Sequence, residues 1–165
     1  MVSGITAGWT DFLVAVAGAA GALAGLVFVA LSINLARILE LPGVAGRAAE
    51  TLLLLAGSLV AALLALVPYA SPASLGLVLL AIGLPTWGVP TAIQIQVLRN
   101  RRYPHAAVAA GRIVLHQAAT LPFLVAGLAL RSGDAGGMYW LAAALVLSMV
   151  AALIGAWVLL VEIVR

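Results

Sequence analysis

The chain has 165 residues, of which 65% are hydrophobic and only 8% are charged. A soluble domain is roughly half apolar and about a quarter charged, so this composition excludes an ordinary water-soluble domain and favours a protein that lies in lipid. The formal charge of +3 does not indicate nucleic-acid binding, because the basic residues flank apolar segments. The length allows one membrane domain, over residues 1–165.

Apolar segments in chain order predict five membrane-spanning helices. A hydrocarbon core of roughly 30 Å requires about 20 helical residues. The joints between the segments are short and contain proline or glycine, which turn the chain, so neighbouring helices are expected to run antiparallel. The predicted fold class is therefore an all-α bundle of five transmembrane helices. The predicted spans cover residues 11–39, 48–67, 74–98, 108–130 and 138–164.

The arginines predict the orientation of this bundle. With five spans, seven of the eight arginines fall on one side, and only Arg131 falls on the other. Because cytoplasmic loops carry the excess of basic residues, we expect the N-terminus outside and the C-terminus in the cytoplasm. The seven are Arg37, Arg47, Arg99, Arg101, Arg102, Arg112 and Arg165.

Small residues on the first span predict close helix packing. Gly18, Gly21 and Gly25 form a Gly-x-x-Gly-x-x-x-Gly run, and such spacings let two backbones approach closely. The run is either a seam between subunits or a packing face inside one bundle. The second interpretation is simpler, because five helices already supply partners.

The third span contains two prolines near its middle. Each proline removes a backbone donor and frees a carbonyl of the preceding turn, and in lipid that carbonyl needs another partner. We expect either a hinge or binding segment, or a static kink, with the threonines as candidate partners. The segment comprises Pro85, Thr86, Gly88, Pro90 and Thr91.

Polar residues gather in the arginine-bearing half of the spans. Arg112, His116 and Thr120 are spaced i, i+4, i+8 and should form one stripe on a helix. The second span opens with Glu50 and Thr51. The group forms either a polar vestibule lined by all five helices, or a set of snorkelling side chains and helix–helix hydrogen bonds. The predicted vestibule residues are Ser32, Asn34, Arg37, Gln94, Arg112, His116, Gln117, Thr120 and Glu162.

Enzymatic chemistry has little support in the sequence. There is no cysteine, and the two histidines and five acidic residues do not form a recognisable metal set. No serine lies in a nucleophile-elbow context. We expect a protein that is not an enzyme, with no catalytic residues, metal or cofactor.

The stretch from Ala19 to Leu39, followed by Leu41-Pro42-Gly43 and a second span that begins with an arginine, resembles a group of small actinobacterial membrane proteins. Some members of that group are labelled as modulators of a membrane-anchored AAA protease. The similarity is specific over the first third of the chain and elsewhere follows hydropathy and length. The resemblance implies a multi-pass protein of the bacterial inner membrane and supplies no catalytic residues.

Two classes of function stay open on the sequence. The first is a homo-oligomeric channel or transport unit that uses the polar vestibule and the third span. The second is an accessory or regulatory protein that binds another membrane protein, such as a membrane protease, through the glycine face. The lack of a deep acidic residue counts against the first class, and the lack of a sizeable soluble part counts against the second. We expect transport.

Overall fold

A computed structural model describes residues 6–41, 43–99 and 106–164, with the side chains of these residues except 97, 106–109 and 162–164. The predicted vestibule residue Glu162 therefore lies outside the described side chains, as do Arg101, Arg102 and Arg165, which were predicted to be cytoplasmic.

The described chain forms six helices. Five of them are long and apolar enough to cross a membrane, and the sixth, α2, is a short helix at the end of the first span. The predicted all-α bundle of five spanning helices is therefore confirmed. The helices are α1 (Thr10–Ile33), α2 (Leu35–Glu40), α3 (Val44–Ala65), α4 (Pro72–Arg99), α5 (Ala106–Arg131) and α6 (Gly137–Val164).

The first span is shorter than predicted because the helix breaks at Asn34. The Asn34 side chain donates to the carbonyl of Ala30 at 2.9 Å, and its backbone leaves the helical region with φ −104° and ψ 14°. Asparagine side chains compete with the helical ladder in this way. The second span starts earlier than residue 48, since Gly43, with φ +83°, makes the left-handed turn and α3 begins at Val44.

Helix α3 lies at the centre of the bundle. It contacts α1, α4 and α6, while α5 packs between α4 and α6. Helix α1 lies at the periphery and packs chiefly against α3. The described arginines Arg37, Arg47, Arg99 and Arg112 lie at one end of the bundle, called here the arginine-bearing end, and Arg131 lies at the other.

An apolar core fills the space among the spanning helices at the end opposite the arginines. Every spanning helix contributes at least one side chain that is no more than 1% exposed. The Trp9 ring contacts Phe12 and Tyr139 edge to face and covers this end of the core. The core includes Leu13, Ala61, Leu79, Phe123 and Leu145.

The glycines of α1 do not share one environment. A Cβ atom on Gly21 would lie 3.8 Å from the Leu59 side chain of α3, so Gly21 faces the bundle. A Cβ atom on Gly18 or Gly25 would meet nothing within 4 Å. Of these three glycines, only Gly21 therefore lies against another helix of the same chain.

Candidate functional site

The carboxylate of Glu50 is the meeting point of three helices. Its Oε1 accepts a hydrogen bond from Nε2 of Gln94 on α4 at 3.0 Å, and its Oε2 pairs with the Arg112 guanidinium of α5 at 2.9 Å. Glu50 lies six residues after Val44, roughly 9 Å along α3 at about 1.5 Å per residue. Its side chain is 19% exposed, so the carboxylate is mostly covered by the neighbouring helices.

His116 lies beside this carboxylate, one helical turn after Arg112. It is 2% exposed, and its Nδ1 lies 3.3 Å from Glu50 Oε1. Nδ1 makes no hydrogen bond among the described residues, although it lies within ion-pair distance of that oxygen. The other ring nitrogen, Nε2, lies 3.5 Å from the carbonyl oxygen of Trp87 on α4. The imidazole thus bridges α3 and α4 from α5.

A second polar layer joins α4 and α5 next to His116. The Trp87 indole donates to Oε1 of Gln117 at 2.6 Å, and Nε2 of Gln117 donates to the Thr91 hydroxyl at 3.2 Å. Thr120, fully buried, donates to the backbone carbonyl of His116 at 2.8 Å. The sequence identified Gln117 and Thr120 as candidates, whereas Trp87 was missed because an aromatic residue in an apolar span has no distinguishing pattern.

The proline segment of α4 remains helical from Pro72 to Arg99. Thr86 donates to the carbonyl of Ile82 at 2.8 Å in its own helix, and Thr91 accepts from α5. Neither contact supplies a donor to the carbonyls that Pro85 and Pro90 leave without their helical partners. Thr91 therefore joins the segment to α5, and neither threonine replaces the hydrogen bonds that the prolines remove.

A cavity of about 100 Å³ opens between α3, α5 and α6 beside the Glu50 cluster. Its polar lining carries two guanidinium groups, one carboxylate, one imidazole and one hydroxyl, and the rest of its wall is apolar. The polar lining comprises Arg47, Glu50, Thr51, Arg112 and His116, and the apolar lining comprises Leu54, Leu115, Ala151, Ile154, Gly155 and Val158. The cavity is thus polar on one wall and lies in the arginine-bearing half of the bundle.

The structure brings some of the predicted vestibule residues together and leaves others apart. Gln94, Arg112 and His116 meet around Glu50, with Gln117 and Thr120 adjacent. Ser32 and Asn34 instead donate to carbonyls of their own helix, those of Phe28 and Ala30. Arg37 is exposed on α2. The polar contacts join α3, α4 and α5, while α6 borders the cavity with apolar side chains and the described polar residues of α1 stay outside the cluster.

The sequence placed Glu50 in the polar group of the arginine-bearing half, at the start of the second span, but not among the predicted vestibule residues. A glutamate near a helix end usually lies at the membrane interface, so sequence alone gave no reason to set it at the centre. The signal that could have found it is the early start of α3 after Gly43, which moves Glu50 a full turn and more into the helix.

Metal binding has no support in the described residues, where no three His, Asp or Glu side chains come together in a metal-binding group. Comparisons with family models, curated proteins and solved structures find no match to this chain.

Proposed function

We propose that this multi-pass membrane protein is a transport unit whose solute-binding site is the Glu50–His116–Arg112–Gln94 cluster. The observation that carries the proposal is an ionisable pair inside the spans, at the wall of a cavity of about 100 Å³. Ionisable groups at such depth are costly and commonly mark solute and ion pathways. In this proposal the chain lies in a bacterial inner membrane, with its N-terminus outside and the site open to the cytoplasm.

Glu50 removes the main argument that the sequence offered against transport. That argument was the absence of an acidic residue deep in the spans. Glu50 lies roughly 9 Å into α3, with Gln94 and Arg112 as donors to its two oxygens. A carboxylate at this depth supplies the kind of group that a transport pathway uses.

The apolar core at the opposite end shapes the mechanism that we propose. It fills the space among all five spanning helices, so a solute that reaches Glu50 cannot continue through a static protomer. Passage then requires either a rearrangement or a path between subunits of a homo-oligomer. Helix α4 is the candidate moving element, because Pro85 and Pro90 each remove one helical hydrogen bond.

Flux through reconstituted vesicles tests this proposal. Purified protein in lipid vesicles is loaded with K⁺, Na⁺, Cl⁻ or a pH indicator, and the release or uptake of each ion is followed after a gradient is imposed. We expect the wild type to carry at least one of these ions and Glu50→Gln to reduce the flux to that of protein-free vesicles. Ser32→Ala is the matched control, since Ser32 bonds to its own helix away from the cluster and should leave the flux unchanged. The absence of K⁺, Na⁺, Cl⁻ and H⁺ flux through folded wild-type protein would contradict transport.

A second candidate function is an accessory protein that binds another membrane protein through α1. The observation in its favour is the open face of α1, where Gly18 and Gly25 have no neighbour within 4 Å. Small residues on such a face permit close approach of a partner helix, either a second copy or a different protein such as a membrane protease. Cross-linking through Gly25→Cys in native membranes tests it. A cross-linked product larger than the protomer supports the candidate, and exclusively monomeric protein contradicts it.

A further inference from the structure

We propose that Glu50 and His116 together bind one proton, held between Oε1 of Glu50 and Nδ1 of His116, and that this proton is the ligand that the site exchanges with the cavity. The proposal rests on the proposed transport function and names its ion.

The ring of His116 faces an oxygen on both sides. Nε2 lies 3.5 Å from the Trp87 carbonyl oxygen, which only accepts, and Nδ1 lies 3.3 Å from Glu50 Oε1, which only accepts when the carboxylate is ionised. A neutral imidazole has one N–H group and one lone pair. Either tautomer therefore turns a lone pair toward an oxygen acceptor, in a site where His116 is 2% exposed.

One additional proton removes this conflict. Placed on Nδ1, it gives an imidazolium that donates toward both oxygens. Placed on Oε1, it gives a carboxylic acid that donates to Nδ1 while Nε2–H points to Trp87. In both forms the Nδ1 or Oε1 lone pair gains a bond to hydrogen, and the charge of the pair changes from −1 to 0. The proton comes from water, and no electrons are transferred.

The groups around the pair favour a proton over a larger cation. The charged groups that face it are Arg112 from α5 and Arg47 from α3, while α4 presents only the uncharged Trp87 and Gln94, and the described side chains of α6 at the cavity are apolar. The two guanidinium groups oppose any added positive charge, and a metal cation would in addition need several oxygen or nitrogen ligands. A proton needs no coordination shell, and histidine is the side chain that gains and loses protons in the physiological range.

Water in the cavity gives the proton access to the pair. Both Glu50 and His116 line the cavity of about 100 Å³, and a single water molecule needs roughly 10–15 Å³. The side chain of Gln94 is buried, at 4% exposed. Its carbonyl oxygen also has no hydrogen-bond partner among the described residues.

Infrared difference spectroscopy of the full chain in lipid vesicles tests the shared proton directly. Isotope labels on histidine and glutamate identify the bands, and a His105→Gln background leaves His116 as the one histidine. We expect a single pH step in which the imidazole and carboxylate bands change together, because strongly coupled groups titrate as a pair. Glu50→Gln should remove the joint change of the two bands, whereas Glu40→Gln, exposed at the end of α2, should leave it in place.

The outcomes separate this proposal from the transport proposal. A joint step in protein that carries none of the tested ions supports the proton site and removes transport. An imidazole step that is identical with and without Glu50 overturns the shared proton, even when K⁺ or Cl⁻ flux is present. If Glu50→Gln does not fold, the wild-type spectrum still decides, because separate midpoints for the two groups contradict the proposal.

Discussion

Gly76 on α4 and Gly127 on α5 face each other with no side chain between their backbones. A Cβ atom on Gly76 would lie 2.6 Å from the carbonyl oxygen of Gly127, and a Cβ atom on Gly127 would lie 3.0 Å from the carbonyl oxygen of Gly76. Because small residues allow helices to approach closely in lipid, this pair draws α4 and α5 together. The same two helices carry the polar contacts of Trp87 and Gln117 to the site.

Gly76→Ala should destabilise the protein by about 1–3 kcal/mol, the usual cost of overpacking. The added methyl group meets backbone atoms of α5, which cannot move aside as a side chain can. Gly25→Ala is the matched control, since it adds the same group to open space on α1 and should be neutral or slightly stabilising. Unfolding in mixed detergent, followed by circular dichroism, measures both. Equal stabilities for the two variants would show that α4 and α5 are not closely packed in solution.

The sequence was sufficient to predict the spans but not to predict which helices pack against one another. Length and hydropathy identify a spanning helix without knowledge of the rest of the fold, so five spans could be predicted. Periodicity shows which face of a helix is polar or small, but not which helix covers that face. The glycines of α1 therefore drew attention, while a close approach of two helices lies at Gly76 and Gly127.

The polar site, too, could be predicted from the sequence only in part. The stripe of Arg112 and His116 follows from helical spacing alone, and the structure turns it toward α3 and α4. The central position of Glu50 depends on where α3 begins and on which helices flank it. Ser32 was grouped with these residues by depth, yet α1 packs chiefly on α3, and depth alone cannot bring side chains on different helices together.

Trp87→Phe should reduce stability by about 0.5–1.5 kcal/mol, the net value of one neutral hydrogen bond. The change keeps an aromatic ring and removes the indole donor that lies 2.6 Å from Gln117 Oε1. Trp157→Phe is the control, because Trp157 is 67% exposed on the outer surface of α6. Detergent unfolding of both variants measures the difference. A larger loss for Trp157→Phe would contradict the role assigned to the Trp87–Gln117 contact.

The proposed orientation predicts which side of the membrane each joint faces. The chain has no cysteine, so single-cysteine variants report one position each. We expect Ser132→Cys, in the joint between α5 and α6, to react with an impermeant maleimide added outside intact cells. Glu40→Cys, at the end of α2, should react only after the cells are opened. The reverse pattern would place the arginine-bearing end outside, against the positive-inside rule.

The central claim is that the Glu50 cluster borders a water-filled cavity that opens on the arginine-bearing side. Leu54 lines this cavity, whereas its neighbour Leu55 does not, although both belong to one buried apolar cluster and are 4% and 1% exposed. The most direct measurement is the rate at which Leu54→Cys and Leu55→Cys react with a small charged methanethiosulfonate reagent in vesicles. The account predicts that Leu54→Cys reacts from the arginine-bearing side and that Leu55→Cys stays unreactive. Equal inertness of the two cysteines, or reaction of Leu54→Cys only from the opposite side, would contradict it.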